Sequence, residues 1–383
     1  FNDPFYQSKR QLLFMFLGSI TLVVCLITPV HVWQKQSPYL LLIALLLLAA
    51  VLIPGLGRTV NGSTRWIPIG PLSLQPSEFA KVAVVVFMAG YLVRQQEEVR
   101  NNFSGFLKSL VVLGAFIVLF LLEPDFGAAV VMMGAVLGMF FLGGMRKRHI
   151  SIVMLATVGF GTITILAAEY RYKRLISYLD PWADPFGTGY QLTQAQIAFG
   201  RGGWFGEGLG QSMQKLFYLP EAHTDFVYSV LAEEWGAFGA MVVVALYGVF
   251  IVRGLNVGQK AERSGRLFSA YLAYGLVLLI AAQAIINIGV NLGLLPTKGL
   301  TLPFVSYGGS SMLACAASLG ILLRISLENS VTYGALKAEN DVHLDFPHKT
   351  LDTLNTDVTP GLDDVDQWFV DDDKKQDWRH DKV

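Results

Sequence analysis

The 383-residue sequence has little charge and almost no cysteine. Asp, Glu, Lys and Arg together make up 15% of the residues and cancel to a net charge of zero, whereas soluble domains contain about 25% charged residues. A chain without net charge provides no global field to attract nucleic acid. Both cysteines, Cys25 and Cys315, lie in apolar stretches, so their spacing indicates neither a disulfide nor a zinc site.

Instead of charge, the sequence has long apolar runs such as YLLLIALLLLAAVLIPGL and MVVVALYGVFIV. About 20 apolar residues cross the hydrocarbon layer as a helix, which satisfies every backbone polar group internally. We predict nine such spans, at residues 11–30, 38–55, 77–93, 108–122, 127–144, 150–168, 226–252, 267–291 and 310–325. The sequence therefore predicts an all-α polytopic membrane protein.

The loops between these spans alternate in charge. Basic residues such as Lys35, Arg94 and Arg146 occupy one set of loops. The two short loops of the alternate set, at 123–126 and 292–309, contain only one basic residue, Lys298. Lys and Arg are in excess in cytoplasmic loops, so the loops at 56–76, 123–126, 169–225 and 292–309 face outward. Residue 1 then lies outside as well, and because the chain starts at Phe1 rather than Met we expect a further span before it.

The composition predicts two regions. Residues 1–325 form the membrane domain, and its large outer loop at 169–225 carries short interfacial helices, of which TGYQLTQAQIAFG has the clearest amphipathic period. Residues 326–383 form a disordered acidic cytoplasmic tail. Its part from 339 to 383 has thirteen Asp or Glu against five Lys or Arg, and it has too few aliphatic side chains to offset the entropy of ordering.

Polar and charged residues gather in the outer loops. Glu78 and Lys81 are three positions apart at a predicted helix start, so they share a helix face. They form either an ordinary ion pair or part of an anion site. Arg65 is a second cation in the same loop, and arginine suits bidentate binding of a pyrophosphate.

The stretch LPEAHTDFVYSVLAEEWG brings several ionisable groups to the mouth of a span. Asp225 lies there beside Glu221 and His223, and a carboxylate in this place either caps the helix or takes part in chemistry. Glu233 and Glu234 lie further into the span, where an acidic residue marks a function or a paired charge.

Several long motifs resemble the SEDS family (shape, elongation, division and sporulation). They are PEAHTDF, AEEWG, DPFGTGYQLTQAQIAFGRGG, GSTRWIPIG with QPSEFAK, EPDFG and KGLTLPFVSYGGSS. The segments NDPFYQSKRQ, EVRNNFSGFL and MQKLFYLPEAHTDF favour the division branch, with the elongation branch as the alternative. Position 217, acidic in some division-branch members, is Phe217 here, which puts an activating role of that position in doubt.

The resemblance implies a fold of ten transmembrane helices and a peptidoglycan glycosyltransferase. Such an enzyme polymerises lipid II on the outer face of the bacterial cytoplasmic membrane, here at the division septum. The implied partners are a class B penicillin-binding transpeptidase and division regulators of the FtsQ, FtsL, FtsB and FtsN type.

The resemblance also assigns residues. The family's essential aspartate falls on Asp225, the expected general base, and its arginine and lysine fall on Arg65 and Lys81 with Glu78 between them. Further candidates for binding lipid II or its pyrophosphate are Lys298 and His223, and secondary candidates are Glu221, Glu234, Gln191 and Ser310. A divalent cation, Mg²⁺ or Mn²⁺, is a further expectation, with Asp225 and Glu78 as its candidate ligands. The choice between base and ligand for Asp225 stays open.

Two other classes of function stay open. A lipid II flippase or transporter predicts polar groups along a path through the membrane, whereas this sequence concentrates them on the outer side. A non-catalytic scaffold of the division complex leaves the outer residues Arg65, Lys81 and Asp225 without a role.

Overall fold

The computed structural model describes residues 6–344, apart from 61–62, 71, 168 and 298, and it is mostly helical. The helices are α1 Tyr6–Ile27, α2 Val30–Val51, α3 Pro76–Arg94, α4 Gln96–Asn101, α5 Phe103–Leu122, α6 Phe126–Leu142, α7 Lys147–Leu166, α8 Glu169–Leu179, α9 Tyr190–Gly202, α10 Val227–Arg263, α11 Leu267–Asn291 and α12 Gly309–Leu344. Each of the nine predicted spans coincides with one of the longer helices. Seven described helices are long and apolar enough to cross a membrane, and α6 is a shorter apolar helix. The prediction of a polytopic helical membrane protein is confirmed.

One loop adds a small β-sheet to this helical fold. Residues 56–76 contain an antiparallel sheet of three strands, β1 Arg58–Val60, β2 Ser63–Ile69 and β3 Leu72–Leu74, in the order β1-β2-β3. The segment STRWIPI is rich in the β-branched and aromatic residues that favour strands, and Gly70 provides the left-handed backbone (φ 59°) that follows β2. The sheet places Arg65 on a strand and leads through Pro76 directly into α3.

The core lies around α3 and α11. Both helices are buried over most of their length, whereas α1, α2 and α10 expose aliphatic side chains. Apolar side chains of α3, α6 and α11, such as Val85, Met139 and Leu276, belong to one buried cluster. The N-terminal end of α3, which carries Glu78 and Lys81, is therefore held by the packed core.

The predicted helix in the outer loop at 169–225 is α9, and it is more than a surface element. Its buried residues Leu192, Thr193, Ala195 and Ala198 face inward, and α9 contacts α10 and α11. The Thr193 hydroxyl bonds back to the carbonyl of Tyr190 at 2.9 Å. Polar side chains on the α9 surface thus belong to a helix packed on the core.

Helix α10 breaks at Gly236. This glycine has φ 70° and ψ −173°, so the helix loses its regular backbone hydrogen bonds there. The loop after α9 replaces them with four bonds: Glu207 N to Glu233 O at 3.0 Å, Gly208 N to Glu234 O at 3.1 Å, Ala237 N to Gly203 O at 2.8 Å and Phe238 N to Trp204 O at 3.2 Å. Broken helices at membrane depth need such replacement because lipid offers no partner.

We expect Gly236→Ala to destabilise the protein. A Cβ at this position would lie 2.4 Å from the carbonyl oxygen of Trp204, and the left-handed backbone adds strain of about 1–3 kcal/mol. A decrease in the midpoint of thermal unfolding in detergent of roughly 4 °C or more is expected. Gly248→Ala is the matched control on the same helix, since a Cβ there meets nothing within 4 Å. An equal effect of the two substitutions would contradict this role of Gly236.

Helix α12 continues past residue 325, where the sequence predicted the end of the membrane domain. Helix α12 continues to Leu344, and the first compact unit ends at Thr332. Polar contacts explain this extension, since Glu328 accepts from Arg324 at 2.8 Å and from the Val30 N–H at 3.1 Å. Residues 326–344 are therefore helical. The rest of the acidic tail, residues 345–383, lies outside the described residues and stays a prediction.

Candidate active site

The segment Gly299–Leu302, between α11 and α12, contacts three other parts of the chain. The Asp225 carboxylate lies against Gly299, because a Cβ there would be 3.1 Å from Asp225 Oδ2. The Leu300 side chain packs on Gly127 at the start of α6, where an added Cβ would be 3.0 Å from Leu300 Cγ. The Thr301 hydroxyl lies 2.8 Å from that of Ser311 on α12. We call residues 299–302 the central segment.

The backbone on both sides of Asp225 is fixed by hydrogen bonds. The Asp225 carbonyl accepts the side-chain amides of Asn287 and Asn291, each at 2.9 Å. The Ser306 hydroxyl donates to the Thr224 carbonyl, and the Tyr307 N–H donates to the His223 carbonyl at 2.9 Å. The residue at the N-cap of α10 is Phe226, so Asp225 does not hold that position. The Asp225 side chain is half-buried and faces the central segment.

Lys81 and Glu78 form the predicted ion pair in the first turns of α3. Lys81 Nζ lies 2.9 Å from Glu78 Oε1, and 1% of the lysine side chain is exposed. The same Nζ donates to Gln283 Oε1 on α11 at 3.3 Å, and Gln283 Nε2 donates to the carbonyl and hydroxyl oxygens of Thr301 at 3.3 Å. A buried charge is tolerated only when it is paired and hydrogen-bonded. The lysine is therefore linked to the central segment.

Arg65 reaches from β2 to the EPDFG loop between α5 and α6. Its Nε donates to the Glu123 carbonyl at 2.9 Å, another guanidinium nitrogen donates to the Pro124 carbonyl, and NH1 lies 3.8 Å from Asp125 Oδ1. Bonds to main-chain carbonyls orient the guanidinium without neutralising its charge. Because 21% of the Arg65 side chain is exposed, it is the more accessible of the two cations.

Glu123 is a buried carboxyl group that the sequence analysis did not single out. The residue is 0% exposed, and neither side-chain oxygen has a hydrogen-bond partner among the described residues. Burial raises the pKa of Glu123 to about 8, the neighbouring Asp125 also raises it, and Arg65 lowers it. The Glu123 carboxyl group therefore binds its proton more tightly than an exposed glutamate does. The signal in the sequence was a pair of acids, Glu123 and Asp125, at the outer end of two adjoining spans.

We expect Glu123→Gln to stabilise the protein at alkaline pH and to have little effect at pH 5. The ordinary pKa of 4.5 applies to the unfolded chain and about 8 to the folded one. As pH rises through this interval, the unfolded state loses its proton first and the wild-type stability falls, whereas glutamine does not titrate. The difference in unfolding temperature between Glu123→Gln and the wild type should therefore grow from pH 5 to pH 8 and stay constant above pH 8. The exposed Glu97→Gln is the control, and equal pH profiles for both variants would refute this prediction.

Three of the remaining candidate residues lie around the same site. Ser310, at the start of α12, accepts the Gln75 N–H at 2.8 Å and so holds the junction of β3 and α3 against α12. Glu221 accepts the Thr224 hydroxyl at 2.7 Å and stabilises the turn before Asp225. His223 is exposed in that turn.

Two other candidates, Glu234 and Gln191, are placed differently. Glu234 pairs with Lys215 at 2.7 Å and so holds the loop after α9 to α10, and its neighbour Glu233 pairs with Arg201 at the end of α9 at 3.3 Å. Gln191 is half-buried at the start of α9. Lys298 lies outside the described residues.

The sequence analysis also missed three buried amides on α11, Gln283, Asn287 and Asn291. Their spacing of four residues puts them on one helix face, and polar residues inside an apolar span are rare. That spacing was the available signal, and it was overlooked because none of the three is ionisable.

The described residues do not by themselves form a metal site. No group of three or more His, Cys, Asp or Glu side chains among them could hold a metal ion. Of the two candidate ligands, Glu78 is bound to Lys81. The divalent cation stays a prediction, and the reaction below includes no step through a metal.

Comparison with known proteins gives a consistent result. A family profile described as a cell cycle protein of the FtsW, RodA and SpoVE group matches residues 1–331. A probable peptidoglycan glycosyltransferase FtsW of Pseudomonas fluorescens (strain SBW25) is 52% identical over 338 residues, which cover 88% of this chain and 83% of the relative. One from Hahella chejuensis (strain KCTC 2396) is 53% identical over 327 residues, or 85% of this chain and 82% of the relative.

Solved structures share the fold. A chain from a peptidoglycan synthase complex, described as coordinating polymerization and crosslinking, superimposes with a TM-score of 0.72 at 28% identity, covering 85% of this chain and 91% of that one. The rod shape determining protein RodA of Thermus thermophilus gives a TM-score of 0.62 at 28% identity, over 85% of this chain and 89% of its own. The chain described here belongs to the FtsW, RodA and SpoVE family of cell cycle proteins.

Proposed function

We propose that this chain is a peptidoglycan glycosyltransferase that polymerises lipid II into glycan strands for cell division. Relatives about 50% identical over most of the chain carry the name FtsW, which favours the division branch over elongation. The observation that carries the proposal is the link between the Asp225 carboxylate and the Glu78–Lys81 pair through the central segment. A base and cations at one site are what transfer from a pyrophosphate donor requires.

The reaction joins the 4-hydroxyl of an acceptor N-acetylglucosamine to the anomeric carbon of a donor N-acetylmuramic acid, and undecaprenyl pyrophosphate leaves. Conversion of an α-linked donor to a β-linked product inverts the anomeric centre. The hydroxyl therefore needs a base on the face opposite the leaving group. We assign this base to Asp225, whose carboxylate takes the hydroxyl proton as the new bond forms.

The departing pyrophosphate already leaves well, so it needs stabilisation of charge rather than a second acid. Arg65 suits direct contact, because it is partly exposed and main-chain carbonyls orient its guanidinium. Lys81 is too buried to bind pyrophosphate in this state. Its role is a fixed positive charge behind the site, which preorganises the site for developing negative charge.

The proposal extends to location and partners. The outer loops contain the candidate site, so we place the reaction on the outer face of the cytoplasmic membrane, at the septum. The related chain from a synthase complex that coordinates polymerization and crosslinking supports a class B transpeptidase as partner. Regulators of the FtsQ, FtsL, FtsB and FtsN type remain part of the proposal.

The test is polymerisation of labelled lipid II by the purified protein together with its transpeptidase partner. The partner carries an inactivated catalytic serine, so that the strands stay uncrosslinked. We expect long glycan strands on a gel, and no strands when the protein is omitted. In parallel, translocation of lipid II is measured in liposomes. Translocation without polymerisation would overturn the proposal in favour of a transporter, and neither activity would favour a scaffold.

A further inference from the structure

A stripe of buried amide side chains runs along the outer half of α11. Gln283, Asn287 and Asn291 are at most 3% exposed, and they lie one turn apart on one face of the helix. A polar group buried in an apolar span costs free energy unless its hydrogen bonds are made. The partners of these amides therefore indicate what the stripe does.

The innermost amide, Gln283, bridges the lysine and the central segment. Its oxygen accepts from Lys81 Nζ at 3.3 Å, and its nitrogen donates to the carbonyl and hydroxyl oxygens of Thr301 at 3.3 Å. One planar group thus fixes the distance between α3 and residue 301.

The two outer amides bridge the central segment and Asp225. Asn287 Nδ2 donates to the carbonyls of Asp225 at 2.9 Å and Leu300 at 2.5 Å. Asn291 Nδ2 donates to the same Asp225 carbonyl at 2.9 Å, while its oxygen accepts from the backbone and hydroxyl of Ser229 at 3.1 and 2.7 Å. The backbone of Asp225 is therefore held by two donors from one rigid helix.

We call Gln283, Asn287 and Asn291 the amide ladder of α11. We propose that this ladder is the positioning element of the active site and that it sets the separation between the Lys81 charge and the Asp225 carboxylate. This inference rests on the proposed glycosyltransferase function. The three side chains bind main-chain groups, Lys81 and the hydroxyls of Thr301 and Ser229, so they are positioning residues rather than catalytic ones. Because Asn287 and Asn291 both bind the Asp225 carbonyl, the ladder fixes the backbone from which the Asp225 carboxylate projects.

The ladder explains why amides occupy these positions. A carboxamide both donates two N–H groups and accepts through its oxygen, so one side chain can bridge two segments that belong to different elements. Asn287 uses both donors on different segments. Leucine at the same position would fill similar space and bridge nothing.

The test compares Asn287→Leu and Gln283→Met with a matched control, Asn329→Leu. Asn329 on α12 is also a buried amide, and its Nδ2 donates to the Val257 carbonyl at 3.0 Å. Lipid II polymerisation is measured well below the unfolding temperature of each variant. We expect kcat of both ladder variants to fall roughly 100-fold, because displacement of a reacting group by about 1 Å has that effect, with KM within about twofold. The control should lose thermal stability and keep its kcat.

The outcomes separate the two levels of the proposal. Wild-type kcat in a folded ladder variant, or an equal fall in kcat for Asn329→Leu, would overturn the positioning role while leaving the enzyme function intact. An inactive wild-type protein would instead refute the glycosyltransferase function. Should Asn287→Leu fail to fold, Gln283→Met decides, because Lys81 keeps its bond to Glu78 in that variant.

Discussion

Replacement of Asp225 by asparagine is expected to remove almost all polymerising activity while the protein stays folded. Asparagine has the same shape but cannot take a proton from the acceptor hydroxyl, and a general base contributes about 10²–10⁴ in rate. The fold should tolerate the change, because Asn287 and Asn291 bind the Asp225 main-chain carbonyl rather than its side chain. The measurement is the rate of strand formation from labelled lipid II, together with the thermal unfolding midpoint.

Glu221→Gln is the matched control for this prediction. Glu221 belongs to the same turn and accepts the Thr224 hydroxyl, a bond that glutamine can still accept. Its strand formation should stay within about threefold of wild type, as substitutions outside the chemistry usually do. Near-normal strands from Asp225→Asn would remove Asp225 from the centre of the mechanism and make Glu78 the next candidate.

Lys81→Met is expected to have the second large effect, on both stability and activity. Methionine leaves the Glu78 carboxylate buried and without its cation, and breaking a buried ion pair in this way costs about 3–5 kcal/mol. The lysine side chain is 1% exposed, so water cannot replace the lost partner. The unfolding midpoint in detergent should fall clearly, and strand formation should be lost.

The double variant Glu78→Gln/Lys81→Met separates the two effects. Removing both charges relieves the uncompensated carboxylate, so most of the lost stability should return. Activity should not return, because the fixed positive charge near the leaving group is still absent. Recovery of activity in the double variant would show that the pair is only structural.

The local parts of this structure could be predicted from the sequence, because a single segment contains the whole signal for each of them. The apolar runs predicted nine helices, and seven of them are long and apolar enough to cross a membrane, because the length of a membrane helix is fixed by the hydrocarbon thickness. The three-residue spacing of Glu78 and Lys81 gave their ion pair, because helix geometry alone sets it. Asp225 was assigned through family motifs rather than through its own surroundings.

The missed features depend on contacts between distant segments. Gln283 resembles an isolated polar residue until Lys81 and Thr301 are placed beside it. The break at Gly236 requires the loop after α9 to supply hydrogen bonds. The sequence of α10 itself does not indicate that this loop is its partner. The sheet at 58–74 was missed because two of its three strands have only three residues, which are too few to show a period.

The most direct test of the account is the structure of the protein with a bound lipid II analogue that cannot be cleaved at its pyrophosphate. We predict the pyrophosphate against Arg65 and the EPDFG loop, and the anomeric carbon on the side of the central segment that Asp225 faces. The proposed active site would be contradicted by an analogue whose pyrophosphate lies against a basic loop such as Arg146–Arg148 and whose sugar is remote from Asp225.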